Sequence, residues 1–81
     1  MSLEPDRARA FVREAVAELA KRSLGDDECI VSTGLIDSLS VIRLIALLDR
    51  KLQIRIPTER VQPEDFDSVE VILETLQRLA L

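Results

Sequence analysis

Three stretches of the chain repeat apolar residues at the spacing of an amphipathic helix. They cover residues 5–23, 38–52 and 68–79, with charged or polar residues between the apolar positions. The apolar stripe of the first stretch is Ala8, Phe11, Val12, Ala15, Val16, Leu19 and Ala20, and that of the third is Val69, Ile72, Leu73, Leu76 and Ala80. The pattern therefore predicts three main α-helices.

Capping residues support the boundaries of these helices. Asp37 precedes the second helix as a predicted N-cap. Asp67 precedes the third, and Glu70 stands three residues later, as in a capping box. Gly25 follows the first helix and can take the left-handed conformation that often ends one.

The segments between the helices predict loops and one short helix. Residues 24–36 carry few apolar positions and predict a long loop. Residues 54–57 alternate like a strand, but no second strand pattern is present to pair with them, so we interpret them as an extended connector. Residues 58–62 predict a short helix. The expected fold is all-α, a small four-helix bundle of three main helices and one short helix, in a single domain over residues 1–81.

Composition excludes several classes of function. With 81 residues there is room for one small core, and the chain has no His, Trp or Tyr. Histidine-dependent hydrolysis is therefore excluded, as is stacking of nucleobases on Trp or Tyr. The net charge of −4 disfavours nucleic acid and anionic membrane surfaces as partners.

Cysteine usage and the acidic loop point to an intracellular protein without a metal site. Cys29 is the one cysteine, so no intramolecular disulfide can form, and no apolar run reaches the length of a membrane span. We expect a cytoplasmic protein. Asp26, Asp27 and Glu28 are consecutive and lack the spacing of a calcium loop, so we interpret them as a solvated acidic loop. Cys29 has no histidine partner and is interpreted as a small apolar filler rather than a nucleophile.

A serine at the start of the second helix is the candidate functional residue. The dipeptide Asp-Ser occurs at two predicted helix starts, as Asp37-Ser38 and as Asp67-Ser68. Ordinary capping explains the second pair, whereas the first follows a long loop and lacks a capping-box glutamate. If Asp37 is the cap, the Ser38 hydroxyl is uncommitted, at a helix start where free amides and the helix dipole favour a phosphate group.

The second helix is expected to present a polar arc beside Ser38. At 100° per residue the inner positions are Val41, Ile42, Leu44, Ile45, Leu48 and Leu52, and the outer arc holds Ser40, Arg43, Leu47, Arg50 and Lys51. Leu47 lies in the middle of that arc and Leu39 at its edge. We interpret Leu39, Ser40, Arg43 and Leu47 as a transient docking surface, and incidental exposure or partial burial of the two leucines is the alternative.

The segment from Gly34 to Leu39 resembles the phosphopantetheine attachment motif of the acyl and peptidyl carrier protein family. The connector 54–57 and the start of the last helix are similar to the same family, so the resemblance covers nearly the whole chain. It implies that Ser38 receives 4′-phosphopantetheine from a separate phosphopantetheinyl transferase, and that the arm's thiol carries acyl or aminoacyl groups as thioesters to loading and processing enzymes. It also implies no catalysis by the chain itself, and a role for Asp37 in positioning Ser38 or the transferase's Mg²⁺, beside simple capping.

One departure from the family bears on the pathway. Fatty-acid-type carriers present an acidic second helix, whereas this helix carries Arg43, Arg50 and Lys51 against Asp49. A stand-alone, monomeric carrier for a specialised route, such as polyketide or nonribosomal peptide synthesis, fits better than fatty acid synthesis. The alternative is a helical adaptor that binds a protein partner through Leu39 and Leu47 and has no prosthetic group.

Overall fold

The computed structural model describes residues 5–80 and is helical throughout its regular structure. No β-strand occurs within those residues. The elements in chain order are α1 (Pro5–Ala20), α2 (Ser38–Leu52), a first 3₁₀ turn (Thr58–Arg60), a second 3₁₀ turn (Pro63–Phe66) and α3 (Val69–Arg78). The all-helical fold class is therefore confirmed, with α1 packed against both α2 and α3.

Three of the predicted helices are shorter than expected, α3 by one residue at each end. The helix α1 ends at Ala20 rather than residue 23, because Lys21 adopts the left-handed conformation at φ 61°. Gly25 was wrongly expected in that role, since the glycine with positive φ is Gly34. The short helix predicted over 58–62 is a single 3₁₀ turn ending at Arg60, and a proline at 63 favours the extended backbone seen at Gln62.

The three helices bury one shared apolar core. Its most completely buried large side chains are Phe66, Ile30, Leu44, Leu48, Ile72, Val12 and Val69. One expectation for α3 is wrong, because Ala80 is exposed; Thr75, which was not assigned to the inner stripe, lies in the core. The Thr75 hydroxyl donates a hydrogen bond of 2.8 Å to the carbonyl of Asp65, which satisfies this buried polar group.

The N-cap of α3 is Ser68, and the prediction of Asp67 is wrong. The backbone of Ser68 is extended, and its hydroxyl oxygen accepts a hydrogen bond of 3.1 Å from the Val71 amide. Glu70 takes no part in a capping box, because with Ser68 as the cap it is the second residue of the helix and not the third; its carboxylate bonds to Arg9. Asp67 thus lies one residue outside the helix, and its side chain is available for other contacts.

Ion pairs hold the acidic part of the loop against α1. Asp26 accepts two hydrogen bonds of 2.7 Å from Arg13 and one of 2.7 Å from Arg9. Its carbonyl also accepts a 3.0 Å bond from the Glu70 amide of α3. Glu28 pairs with Arg22. The interpretation of these residues as a freely solvated acidic loop is therefore wrong, because two of the three carboxylates bind arginine.

The acid dependence of stability tests the Asp26 contacts. Hydrogen bonds from Arg13, opposed by desolvation and reinforced by Arg9, lower the pKa of Asp26 to about 2. An unfolded chain titrates aspartate near pH 3.9, so the ionised carboxylate stabilises the fold above about pH 4, and this contribution is lost as the pH falls towards 2. We expect Asp26→Asn to lower the melting temperature at pH 7, and its difference from wild type to shrink between about pH 4 and pH 2.

Asp27→Asn is the matched control for that titration. Asp27 is exposed and makes no ion pair within the part of the chain that the structure describes. Melting temperatures of both variants by circular dichroism from pH 7 to pH 2 are the measurement. Equal losses at pH 7 for the two variants would contradict the role assigned to Asp26.

Candidate functional site

A compact loop segment leads into α2. The amide of Ile36 donates a 2.9 Å hydrogen bond to the carbonyl of Ile30, and the amide of Gly34 donates a 3.0 Å bond to the carbonyl of Val31. The side chains of Ile30 and Ile36 are both buried in the core. The segment 30–36 is thus closed on itself and anchored at both ends.

Gly34 occupies the one position of this segment where the backbone turns left-handed. Its φ is +79°, a conformation that residues with a Cβ adopt only with strain. No atom lies within 4 Å of where a Cβ would stand, so the backbone angle and not crowding explains the glycine. The turn returns the chain to the core at Ile36, one residue before Asp37.

Asp37 is the N-cap of α2. Its Oδ1 accepts a 2.8 Å hydrogen bond from the Ser40 amide, and its backbone is extended. The bond from the Ser40 amide is the main cause that lowers the pKa of Asp37, and the charge of Arg43 adds to it. The carboxylate is therefore ionised at neutral pH and caps the N-terminus of α2.

Ser38 is the first residue of α2, and its side chain is exposed. Its hydroxyl makes no hydrogen bond to any other residue from 5 to 80. The amides of Ser38 and Leu39 have no earlier helical carbonyl to bind, so they remain available as donors. A nucleophilic oxygen and two free amides are thus together at the positive end of the helix dipole.

Ser68 offers an internal comparison with Ser38. Both serines follow an aspartate at a helix start, but Ser68 is only 4% exposed and its hydroxyl is the N-cap of α3. A modifying enzyme could not reach Ser68 without opening the helix start. The two Asp-Ser pairs therefore have opposite arrangements: in one the aspartate caps, and in the other the serine does.

The exposed face of α2 is rotated from the predicted one. Leu39 and Ile42 are 72% and 63% exposed, whereas Leu47 is half-buried and packs against the core. Ile42 was expected inside, and this expectation is wrong; for Leu47 the structure shows the partial burial that was the alternative to a docking role. The reason is that α2 carries more apolar residues than one stripe can bury, and the buried stripe is Val41, Leu44, Ile45, Leu48 and Leu52.

The charged residues of α2 are only partly free. Arg43 and Arg50 are exposed and make no ion pair with any residue the structure describes. Lys51 is half-buried and lies 3.8 Å from a carboxylate oxygen of Glu14. Ser40 is half-buried at the edge of this face. The outer face of α2 thus combines exposed apolar groups with two arginines.

A shallow groove lies beside the loop segment. It has a volume of about 460 Å³, is open to solvent, and is lined by Arg22, Glu28, Cys29, Thr33, Gly34 and Leu35. Cys29 is exposed, so its interpretation as an apolar filler is wrong. Leu35 is 39% exposed and does not tuck under the bundle as Ile36 does. From residue 5 to residue 80 no cluster of three or more potential metal ligands occurs.

A match to a known protein family identifies the kind of protein that carries this site. Residues 10–77 match the protein family described as "Phosphopantetheine attachment site". The chain belongs to this family. Phosphopantetheine carriers of this kind hold a covalently attached 4′-phosphopantetheine and do not catalyse reactions themselves. They work with a phosphopantetheinyl transferase and with enzymes that load and process the cargo.

Curated relatives of this carrier are D-alanyl carrier proteins. Those of Streptococcus sanguinis (strain SK36), Streptococcus gordonii and Streptococcus thermophilus are each 29% identical over 73 residues, covering 88% of this chain and 92% of the relative. No helix among residues 5–80 combines the length and apolar character that crossing a bilayer requires.

The residues at the start of α2 fit a phosphopantetheine carrier. The group needs an accessible hydroxyl for its phosphodiester, and the Ser38 hydroxyl is exposed and unbonded within the described structure. The Leu39 amide could hold a phosphate oxygen, as could the amide of Ser38 itself. When bound, the arm supplies a thiol at its far end.

Substitutions at Asp37 and Ser38 test the division of roles between them. Asp37→Ala removes an N-cap, and we expect the melting temperature to fall by about 4–8 °C, the usual effect of one lost cap in a domain of this size. Ser38→Ala removes a hydroxyl with no partner and should shift it by less than about 2 °C. Thermal unfolding followed by circular dichroism measures both. A larger loss for Ser38→Ala than for Asp37→Ala would mean that Ser38 is the cap.

Proposed function

We propose that this chain is a single-domain carrier of aminoacyl thioesters, with its 4′-phosphopantetheine arm attached to Ser38. The observation that carries the proposal is the exposed Ser38 hydroxyl, without a hydrogen-bond partner in the described chain, inside the region that matches the family. Ser68, the other serine in an Asp-Ser pair, is buried and bonded. The local geometry therefore favours one of the two candidate serines.

In this function the residues of the chain itself hold the Ser38 hydroxyl where the transferase can reach it. Asp37 caps the start of α2, so the Ser38 hydroxyl is not needed as the cap. The anchored segment 30–36 brings the chain to this helix start. Asp37 is therefore explained by capping, and an additional contact with the transferase's Mg²⁺ is compatible with its ionised carboxylate. The arm's thiol would be the only group that bonds the cargo.

Mass spectrometry of three proteins tests the attachment site. The wild-type chain, Ser38→Ala and Ser68→Ala are each incubated with coenzyme A, Mg²⁺ and a broad-specificity phosphopantetheinyl transferase, and their intact masses are measured. We expect one phosphopantetheine on wild type and on Ser68→Ala, and none on Ser38→Ala. Ser68→Ala is the matched control because it also removes a serine after an aspartate at a helix start.

Two outcomes would contradict the attachment proposal. Modification of Ser38→Ala would place the arm on another residue. Failure of wild type to gain any mass, with an established carrier modified in the same reaction, would favour the helical adaptor without a prosthetic group.

The relatives support an aminoacyl cargo. All three relatives described above are named as carriers of a D-alanyl group, and the match spans nearly the full length of both chains. An amino acid carried for a specialised pathway also agrees with the weakly basic α2, and we therefore favour nonribosomal or related chemistry over polyketide synthesis. For the compartment we propose the cytoplasm, where an exposed free thiol such as that of Cys29 stays reduced.

The exposed face of α2 supports a docking role for the loading enzymes. Leu39 and Ile42 lie one turn apart, Arg43 follows, and all three are exposed within five residues of Ser38. We name Leu39, Ile42 and Arg43 the docking surface. Ser40 and Leu47 lie half-buried and contribute at most to its edge. An apolar surface with an arginine suits an enzyme that presents an apolar patch with acidic residues around it.

Loading of D-alanine tests the cargo and the docking surface together. The phosphopantetheinylated chain is incubated with D-alanine, ATP and a D-alanine-activating ligase, and the product is measured by intact mass with and without hydroxylamine, which cleaves thioesters. We expect one D-alanyl group that hydroxylamine removes. Arg43→Glu should lower kcat/KM of this loading by about tenfold, because the docking surface meets acidic groups.

Arg7→Glu is the matched control, since it makes the same charge change on the exposed side of α1. We expect it to load within about twofold of wild type. Absence of D-alanyl transfer to wild type would reject this cargo, and equal rates for the two arginine variants would reject the docking surface.

A further inference from the structure

The carboxylate of Asp67 binds the loop that leads to Ser38. Its Oδ1 accepts hydrogen bonds from three successive amides, those of Ile30 at 3.2 Å, Val31 at 2.8 Å and Ser32 at 2.9 Å. The Asp67 carbonyl accepts a further bond of 2.7 Å from the Ile30 amide. These contacts join positions more than thirty residues apart in the sequence.

The Asp67 carboxylate is not required to cap α3. Ser68 caps that helix through its own hydroxyl, and the hydrogen bonds of the Asp67 side chain all go to the loop. Desolvation opposes ionisation here, but the amides of Ser32, Val31 and Ile30 outweigh it and lower the pKa of Asp67. An ionised carboxylate therefore faces the loop amides at neutral pH, where such bonds are strongest.

The amides that bond to Asp67 belong to the first three residues of segment 30–36, which we call the base of the segment. Ile30 and Val31 donate to Asp67, and their carbonyls in turn accept from Ile36 and Gly34. A short chain of hydrogen bonds thus runs from Asp67 through the segment to Ile36, the residue before the Asp37 cap. Removing the Asp67 carboxylate leaves the segment with the single bond from the Ile30 amide to the Asp67 carbonyl, its own internal hydrogen bonds and its two buried isoleucines.

We propose that Asp67 is a positioning residue for the loading of Ser38. By holding the base of segment 30–36, it fixes the path on which the chain enters α2, so that the transferase meets Ser38 in one arrangement. This inference rests on the proposed function, because it takes Ser38 as the attachment point. Asp67, which lies just before α3, would thus affect the attachment of phosphopantetheine at the start of α2.

Three variants separate positioning from stability. Asp67→Ala removes all three side-chain acceptor contacts, whereas Asp67→Asn keeps one carbonyl oxygen that the amides can still use. Ser68→Ala removes the cap of α3 next to it but leaves the bonds to the loop. Ser68→Ala is therefore the matched control for a general loss of stability at this junction.

The first measurement needs no transferase. Amide hydrogen exchange by NMR on the unmodified chain reports protection at Val31 and Ser32, which Asp67→Ala should lower by about tenfold or more relative to wild type. Asp67→Asn should give intermediate protection, and Ser68→Ala should match wild type at these two amides after correction for global stability. Unchanged protection in Asp67→Ala would overturn the inference.

The second measurement is the rate of loading with coenzyme A and the transferase. In this reaction Ser38 Oγ bonds to the phosphorus next to pantetheine, the pyrophosphate P–O bond of coenzyme A breaks, adenosine 3′,5′-bisphosphate leaves, and the hydroxyl proton is released to solvent. The rate is measured well below the melting temperature of every variant. We expect kcat/KM to fall about tenfold for Asp67→Ala and less for Asp67→Asn, with Ser68→Ala close to wild type. An equal fall in Ser68→Ala at equal stability would overturn the inference, because stability alone would then explain it.

Attachment at Ser38 and positioning by Asp67 are rejected by different outcomes. If wild type gains no arm at Ser38, the proposed function and this inference are both rejected. If wild type is loaded at Ser38 and Asp67→Ala is loaded at the same rate, the function stands and the positioning role alone is rejected. If Asp67→Ala does not fold, Asp67→Asn carries both comparisons.

Discussion

One carboxylate oxygen of Asp67, bonded to three successive loop amides, is the contact on which the geometry of the site depends. Between α1 and α2 the chain runs from residue 21 to residue 37 without regular structure, and its backbone amides need partners. A domain of this size has little core with which to hold so long a loop. Asp67 supplies acceptors in the middle of the loop, Asp26 ties its beginning to α1, and two buried isoleucines anchor the end.

The start of α2 follows from this anchoring. Because the loop returns to the core at Ile36, the next residue is placed to cap the helix, and the one after it begins the first turn with its side chain outside. Asp37 takes the capping task, and Ser38 keeps a free hydroxyl. At α3 the order is reversed, since Ser68 caps and Asp67 binds the loop. The same dipeptide thus holds the loop at one helix start and presents a serine at the other.

The helices could be predicted from the sequence because apolar periodicity is a local property of the chain. The motif from Gly34 to Leu39 made Ser38 the candidate attachment residue, and the structure adds that its side chain is exposed. The roles of Asp67 and Ser68 could not be assigned, because either residue can cap a helix and the choice depends on amides more than thirty positions away. The rotation of α2 was missed for a related reason. Ile42 and Leu47 are both apolar, and only the positions of the other helices decide which of them is buried.

We propose that the arm of this phosphopantetheine carrier is attached to the oxygen of Ser38 and to no other hydroxyl of the loop and helix start. Several hydroxyls lie close by in sequence, on Ser32, Thr33 and Ser40, so the assignment depends on geometry as well as on the motif. Fragmentation of the modified wild-type protein by tandem mass spectrometry locates the group directly. We expect every modified fragment to place it on Ser38. A fragment series that places it on Ser32, Thr33, Ser40 or Ser68 would reject Ser38 as the attachment residue.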